Sequence, residues 1–135
     1  MVQLLPREDH QKNFNMNILG VDYGKKRIGL AWMQTGLDII LPYGLVDSLD
    51  QLVKLIKKEK IDKVIFGLPL GLENMGENEN TKRIRKFAEE LKKQTEVEVD
   101  FADERLTTAE AMEMGGEVSL DEKAAMLILQ TYLDK

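Results

Sequence analysis

The sequence predicts an α/β domain built on a mixed five-stranded sheet with helices on both faces. Three apolar runs with short connections come first, which is typical of an antiparallel meander. Helical and strand-like spacings then alternate, and a strand–helix–strand connection within one sheet is normally a right-handed parallel crossover. The predicted order is β-β-β-α-β-α-β-α-α. A chain of 135 residues is long enough for one such domain with its own core.

The three leading strands are short apolar runs separated by glycine-containing turns. We predict them at residues 17–22, 27–33 and 38–46, with Gly24 allowing the first tight turn. Pro42 lies inside the third run. Because proline cannot donate a hydrogen bond to a ladder, this strand is expected at an edge of the sheet.

The later elements are marked by helix-capping signals. Ser48 and Ser119 each precede a helical pattern and are followed three residues later by a glutamine or glutamate, the capping-box signature. The first helix is therefore predicted to begin after Ser48, and the last to run from Ser119 to near Leu133. Between them the spacing predicts a strand at 63–68, a polar loop at 71–80, a helix at 81–94, a strand at 97–102 and a short helix at 107–115.

The composition excludes several kinds of catalytic site. The chain has no cysteine and one histidine, His10, which falls in residues 1–15. We interpret that segment as a flexible arm before a single domain at 16–135. The absence of cysteine excludes Cys-His hydrolases, zinc–thiolate centres and disulfides. The single histidine in that segment likewise argues against a Ser-His hydrolase. We see no targeting segment, and no apolar run approaches the roughly 20 residues of a membrane-spanning helix. Because cysteine is also absent, we expect a cytoplasmic protein with no membrane partner.

Charge is distributed unevenly along the chain. The net charge of −5 argues against a nucleic-acid partner, because phosphate is bound through Lys and Arg. However, residues 52–63 contain five lysines, residues 82–93 contain six basic side chains, and residues 94–122 contain ten acidic ones. This segregation is compatible with ordinary solvated helix faces, or with a basic groove beside a carboxylate cluster.

Asp22 is the first candidate for chemistry, because it ends the first predicted strand. The turn after it carries Lys25 and Arg27, and a guanidinium can bind phosphate through two parallel hydrogen bonds. Gly24 and Gly29 would let a phosphate approach the backbone closely. The alternative interpretation is an ordinary hairpin with a surface aspartate.

Two further acidic positions follow later in the chain. Asp103 and Glu104 come after the last strand, where the active-site groups of α/β sheets gather, although they could also cap a helix. Asp121 lies in the first turn of the last helix, where the helix dipole alone would favour a carboxylate. The small Ala124–Ala125 pair would let this helix pack closely on the sheet and bring Asp121 over the strand end carrying Asp22.

Carboxylates gathered from three distant segments repel one another unless a divalent cation lies between them. Oxygen ligands suit Mg²⁺ or Mn²⁺. Such a site can activate water and stabilise the leaving oxygen in phosphodiester cleavage. This chemistry remains available after the histidine, cysteine and serine mechanisms have been excluded.

Four motifs together resemble the YqgF/RuvX family. They are D-Y-G-K-K-R-I-G at 22–29, G-L-P-L at 67–70, D-E-R-L-T-T at 103–108, and Asp121 followed by Ala124–Ala125. Each motif alone is modest, but their order and spacing match over about residues 18–133. The resemblance implies an RNase H-like fold, related to Holliday-junction resolvases of the RuvC type.

The resemblance also implies metal-dependent nuclease activity, linked in bacteria to maturation of the 5′ end of 16S ribosomal RNA. The acidic triad that would hold Mg²⁺ or Mn²⁺ falls on Asp22, Glu104 and Asp121. Glu104 is preferred to Asp103 on the resemblance, since strand parity does not separate the two. The side chains expected to bind substrate are Lys25, Arg27, Arg105 and Thr107.

The chain departs from the family pattern in two places. Residues 116–120 lack the basic side chains that family members often carry before the last acid, and the loop at 71–80 is acidic. Both departures leave that side of the site without the basic substrate contacts of the family pattern. The other functions considered are a branched-DNA resolvase, a nucleotide phosphotransferase with a D-x-G phosphate loop, and a non-catalytic RNA- or ribosome-binding module. We expect a monomer or homodimer acting on precursor rRNA or branched DNA, in contact with a ribosomal particle.

Overall fold

The computed structural model describes residues 16–24, 26–37, 39–69, 79–103 and 118–134. These residues form a five-stranded sheet with helices on both faces, which confirms the predicted α/β class. The predicted arm at residues 1–15 and the predicted short helix at 107–115 lie outside the described residues. The strands are β1 (Asn17–Tyr23), β2 (Ile28–Gln34), β3 (Ile40–Val46), β4 (Lys63–Leu68) and β5 (Glu98–Asp103). The described helices are α1 (Leu49–Glu59), α2 (Glu79–Thr95) and α3 (Leu120–Leu133), and none of them is long and apolar enough to cross a membrane.

The strand order in the sheet is β3-β2-β1-β4-β5. The first three strands are antiparallel neighbours, as the meander prediction required, while β4 runs parallel to β1 and β5 parallel to β4. Strand β3 lies at an edge, where Pro42 was expected to place it, and the β2–β3 register shifts between Leu30 and Ala31. The carboxyl ends of β1, β4 and β5 therefore meet at one edge of the sheet.

Two hydrophobic cores cover the two faces of the sheet. Helices α1 and α2 pack on one side, the α1/α2 face, and helix α3 packs on the other, the α3 face. Side chains along β1 alternate between them, because successive residues of a strand point to opposite faces. Leu19 and Val21 belong to the α1/α2 core, whereas Ile18 belongs to the α3 core.

Helix α3 approaches the sheet unusually closely because glycine and alanine line the contact. A Cβ built on Gly20 would lie 2.6 Å from Leu129 Cγ and 2.8 Å from the carbonyl oxygen of Ala125. Ala125 is fully buried, and Ala124 is nearly so. The sequence prediction that the Ala124–Ala125 pair allows close packing of this helix on the sheet is therefore confirmed.

Both ends of α3 are fixed by hydrogen bonds. At its start, the Ser119 hydroxyl accepts from the Glu122 backbone N–H at 3.1 Å, and Glu122 Oε2 accepts from the Gly44 backbone N–H of edge strand β3 at 2.6 Å. Near its end, Lys63 Nζ donates to the Tyr132 hydroxyl at 2.7 Å and lies 3.3 Å from Glu98 Oε2. Burial lowers the pKa of Lys63, but these two partners outweigh burial and raise the pKa overall. Lys63 therefore stays charged and holds the end of α3 against β4 and β5.

Candidate active site

Asp22 lies at the carboxyl end of β1, on the α3 face of the sheet. It follows Gly20 by two residues, and Gly20 faces α3 across the contact described above. Its antiparallel neighbour in β2 is Gly29. Directly opposed Cα atoms in such a ladder are about 4.5–5.5 Å apart, so Asp22 has a residue without a side chain immediately beside it.

Asp121 reaches the same place from the far end of the chain. It lies in the first turn of α3, and a Cβ built on Gly29 would overlap its carbonyl oxygen and lie 2.8 Å from its Cβ. Asp22 and Asp121 are therefore both immediate neighbours of Gly29, one along the sheet and the other above it. Asp121 therefore lies close to the strand end that carries Asp22, as the sequence predicted.

The two glycines of the first motif serve different purposes. Gly24 closes the β1–β2 turn: its N–H donates to the Arg27 carbonyl at 3.1 Å, and an added Cβ would lie 2.7 Å from that oxygen. Gly29 was expected to leave room for an approaching phosphate, and this interpretation was wrong. The space beside Gly29 is filled by the backbone of Asp121. The lack of a side chain at Gly29 therefore allows α3 to pack closely against β2.

Arg27 links the β1–β2 turn to α3. Its Nε donates to Asp121 Oδ2 at 3.2 Å, across 94 positions of sequence. The Arg27 side chain is 60% exposed and that of Asp121 is 31% exposed, so the pair lies at the rim of the site in contact with water. An exposed ion pair of this kind adds at most about 1 kcal/mol to stability. Its larger consequence is that it holds the Arg27 guanidinium beside the carboxylates of the site. The sequence identified both residues but not their contact.

The middle acidic position is only partly described. Asp103 ends β5 with the parity of Val99 and Phe101, which pack into the α1/α2 core, whereas Ala102 belongs to the α3 core. Asp103 therefore lies on the face opposite Asp22. Glu104, Lys25, Arg105 and Thr107 lie outside the described residues.

The described part of the site fits a hard divalent cation. Asp22 and Asp121 offer carboxylate oxygens, and such donors are preferred by Mg²⁺ and Mn²⁺. Within the ranges that the structure describes, no group of three or more acidic, histidine or cysteine side chains could hold a metal ion. The third ligand expected from the sequence, Glu104, is not among those residues.

The chain is similar to a known family along almost its whole length. The model of the RuvX family, described as "Holliday junction resolvase", matches residues 16–135. The chain belongs to the RuvX family. Membership makes it a nuclease, an enzyme that hydrolyses phosphodiester bonds, as the resemblance of its four motifs had implied.

Relatives of this RuvX-family chain have been named in several bacteria. One from Dictyoglomus turgidum is 35% identical, over 88% of this chain and 94% of its own length. Another from Chlamydia trachomatis serovar L2 is 36% identical, over 86% of this chain and 90% of its own. Both carry the name "Putative pre-16S rRNA nuclease".

Solved structures with the same fold include RuvC from Thermus thermophilus. In complex with a Holliday junction substrate, it matches with a TM-score of 0.61 at 10% identity, covering 87% of this chain and 93% of RuvC. A second Thermus thermophilus RuvC structure matches with a TM-score of 0.56 at 11% identity. At such low identity the likeness shows the fold alone, and it agrees with the RNase H-like architecture expected from the motifs.

Proposed function

We propose that this RuvX-family protein is a Mg²⁺- or Mn²⁺-dependent endonuclease that processes the 5′ end of precursor 16S rRNA. The single observation that carries the proposal is the convergence of Asp22 and Asp121 on Gly29. Carboxylates gathered at one edge of a sheet repel one another less when a positive charge lies beside them. Arg27 supplies one such charge at 3.2 Å from Asp121, and a divalent cation would supply the rest.

In this proposal Asp22, Glu104 and Asp121 hold the cation. The bound cation would supply charge neutralisation and lower the pKa of a water molecule that attacks phosphorus. Arg27 uses its Nε to orient Asp121, and because its side chain is 60% exposed, its other N–H groups are proposed to bind a phosphate oxygen. Lys25, Arg105 and Thr107 are proposed as further substrate contacts on the grounds of sequence alone.

The choice of substrate is supported by the names of the relatives. The curated relatives from Dictyoglomus and Chlamydia are named for pre-16S rRNA, and these alignments cover most of both chains. The family description names a Holliday junction resolvase, so branched DNA is the second candidate. Processing of ribosomal RNA would place the protein in the cytoplasm, in contact with precursor ribosomal particles.

The proposal is tested with purified protein and three substrates. These are a transcript carrying the 16S 5′ leader, a precursor ribosomal particle and a synthetic four-way DNA junction. We expect cleavage near the mature 5′ end of the RNA with Mn²⁺ or Mg²⁺, and none in EDTA. Cleavage of the junction with intact RNA would replace the proposed substrate. Cleavage that persists in EDTA would contradict the metal requirement.

A matched pair of serine variants tests whether the start of α3 positions the site. Ser48 and Ser119 cap α1 and α3 in the same way, each accepting a hydrogen bond from the N–H three residues later. Replacing either with alanine is expected to lower the free energy of unfolding by about 1 kcal/mol. Only Ser119→Ala should also slow cleavage several-fold, because only α3 carries Asp121. Urea unfolding and cleavage rates measured on fully folded protein check this, and an equal loss of activity in both variants would contradict it.

A further inference from the structure

Behind the proposed site, on the α1/α2 face, lies a second surface with unusual chemistry. Tyr23 follows Asp22 in β1 and therefore points to the opposite face of the sheet. Its ring packs 4.4 Å from the ring of Phe87 in α2, and the Arg83 guanidinium carbon lies 5.6 Å from its centroid. Phe87 and Arg83, four residues apart on α2, thus both lie against the Tyr23 ring in one aromatic–cation stack, and Arg83 is an exposed residue.

The start of α2 adds further positive charge to this stack. Because β4 and β5 are parallel and α2 connects them, α2 begins at the edge of the sheet where Asp22 lies. Exposed Lys82 and Lys86 flank Arg83 there. The first turn of α2 carries the acidic Glu79, and exposed Lys82, Arg83 and Lys86 follow it along the helix. Their summed positive charge suits a negatively charged ligand.

The β1–β2 turn joins the two surfaces. Lys26 and Arg27 lie exposed between the Asp22 side and the Tyr23 side, and Arg27 is already bound to Asp121. We call the exposed cations Lys26, Arg27, Lys82, Arg83 and Lys86, together with Tyr23, the stacking surface. It forms a positively charged path from the carboxylates, around the end of the hairpin, to α2.

We propose that the stacking surface binds an unpaired stretch of RNA adjacent to the bond cleaved at Asp22 and Asp121. Unpaired bases can stack on aromatic rings and on guanidinium planes, whereas the bases of a duplex are already stacked on one another. The Tyr23–Arg83 stack presents such a plane, and the flanking lysines suit the phosphates on either side. This inference rests on the proposed nuclease function, and it adds that the enzyme prefers a single-stranded flank.

Binding measured in EDTA tests the inference separately from cleavage. The probes are fluorescein-labelled RNAs of about 12 nucleotides, one single-stranded and one duplex, followed by fluorescence anisotropy across a salt series. Arg83→Gln is expected to weaken single-strand binding about tenfold, as loss of one stacked base would, and duplex binding less than twofold. The slope of log K against log salt should fall by no more than the roughly 0.7 expected for one lost phosphate contact, because the lysines that flank Arg83 are retained. Arg83→Lys keeps the charge but loses the plane, and we expect it to bind about threefold more weakly than the wild type.

Arg85 provides the matched control. It lies on the same helix, and its guanidinium carbon is 5.0 Å from the ring centroid of Phe101 in β5, on the side of α2 away from the hairpin. Arg85→Gln removes the same charge and the same kind of contact, yet it should change single-strand binding less than twofold. Equal losses for Arg83→Gln and Arg85→Gln would show that only diffuse charge attracts RNA, and would overturn the inference. Equal losses for single-stranded and duplex RNA would overturn it as well.

The two proposals fail in different ways. A wild-type protein that binds single-stranded RNA through Arg83 in EDTA but cleaves nothing with Mn²⁺ would contradict the nuclease proposal alone. If the wild type and Arg83→Gln cleave the leader RNA with equal efficiency, and if each binds the single-stranded and duplex probes equally well, the stacking surface alone is contradicted. Thermal unfolding of each variant checks that the stack with Phe87 has not been lost through misfolding.

Discussion

Replacing Asp22 with asparagine is expected to abolish metal-dependent cleavage while leaving the fold intact. Asparagine keeps the shape of the side chain but removes the charge that would bind the cation. We expect the rate to fall at least about a thousandfold, which corresponds to about 4 kcal/mol of transition-state stabilisation. Cleavage of the 16S leader transcript at saturating Mn²⁺ gives the rate.

A second measurement on the same variant separates metal binding from folding. A cation that binds only the folded protein raises its stability, by about 2.7 kcal/mol at one hundred times the dissociation constant. Mn²⁺ should therefore raise the Tm of the wild type but not of Asp22→Asn, while the two unfold alike in EDTA. Asp50→Asn is the control, because Asp50 is an exposed residue of α1 whose ion pair with Lys54 lies on the surface. An Asp22→Asn protein that cleaves as fast as Asp50→Asn would contradict the site.

Replacing Gly29 with alanine is expected to damage both stability and activity. The new Cβ would overlap the carbonyl oxygen of Asp121 and lie 2.8 Å from its Cβ, so the start of α3 must move away from β2. Backbone cannot give way as a flexible side chain can, and we expect a loss of about 2–3 kcal/mol of unfolding free energy. The corresponding fall in Tm is about 10 °C for a domain of this size. The cleavage rate of the protein that remains folded should also fall, because Asp121 shifts relative to Asp22.

Gly36→Ala is the matched control for that change. Gly36 has a φ of +93° in the β2–β3 turn, and nothing lies within 4 Å of a Cβ built there. Its substitution strains the turn by about 1 kcal/mol but moves no element of the site. Differential scanning calorimetry together with cleavage rates distinguishes the two variants. If Gly29→Ala and Gly36→Ala have the same free energy of unfolding, α3 does not pack against β2 as closely as described.

Local signals in the sequence predicted the elements well. Ser48 and Ser119 cap the helices they were expected to cap, because a capping box is formed by residues three positions apart. Strand β4 has the bounds that its apolar run indicated, and Pro42 lies in an edge strand. The helix at 81–94 is longer by two residues at its start and by one at its end. Such differences arise because terminal turns depend on tertiary contacts rather than on the apolar pattern.

The contacts that assemble the site were harder to predict. The strand order, with β4 beside β1, cannot be derived from periodicity, since the same pattern fits several sheets. The Arg27–Asp121 and Gly44–Glu122 hydrogen bonds join residues 94 and 78 positions apart, and no local pattern records either partner. Gly29 shows the same limit. Its small size was noticed, but a sequence does not tell what fills the space that a glycine leaves.

The position of α3 in the chain has a consequence for when the enzyme can act. During synthesis, β1, Asp22 and Arg27 leave the ribosome early, whereas Asp121 belongs to the last described helix. Until that helix docks on Gly20 and Gly29, the two carboxylates have no shared neighbour, and Arg27 has no Asp121 to bind. A partly synthesised chain that lacks α3 therefore carries Asp22 and Arg27 without Asp121 beside them. The proposed site is therefore completed only by the docking of a helix that is synthesised about a hundred residues after Asp22, roughly the span between the two carboxylates in the chain.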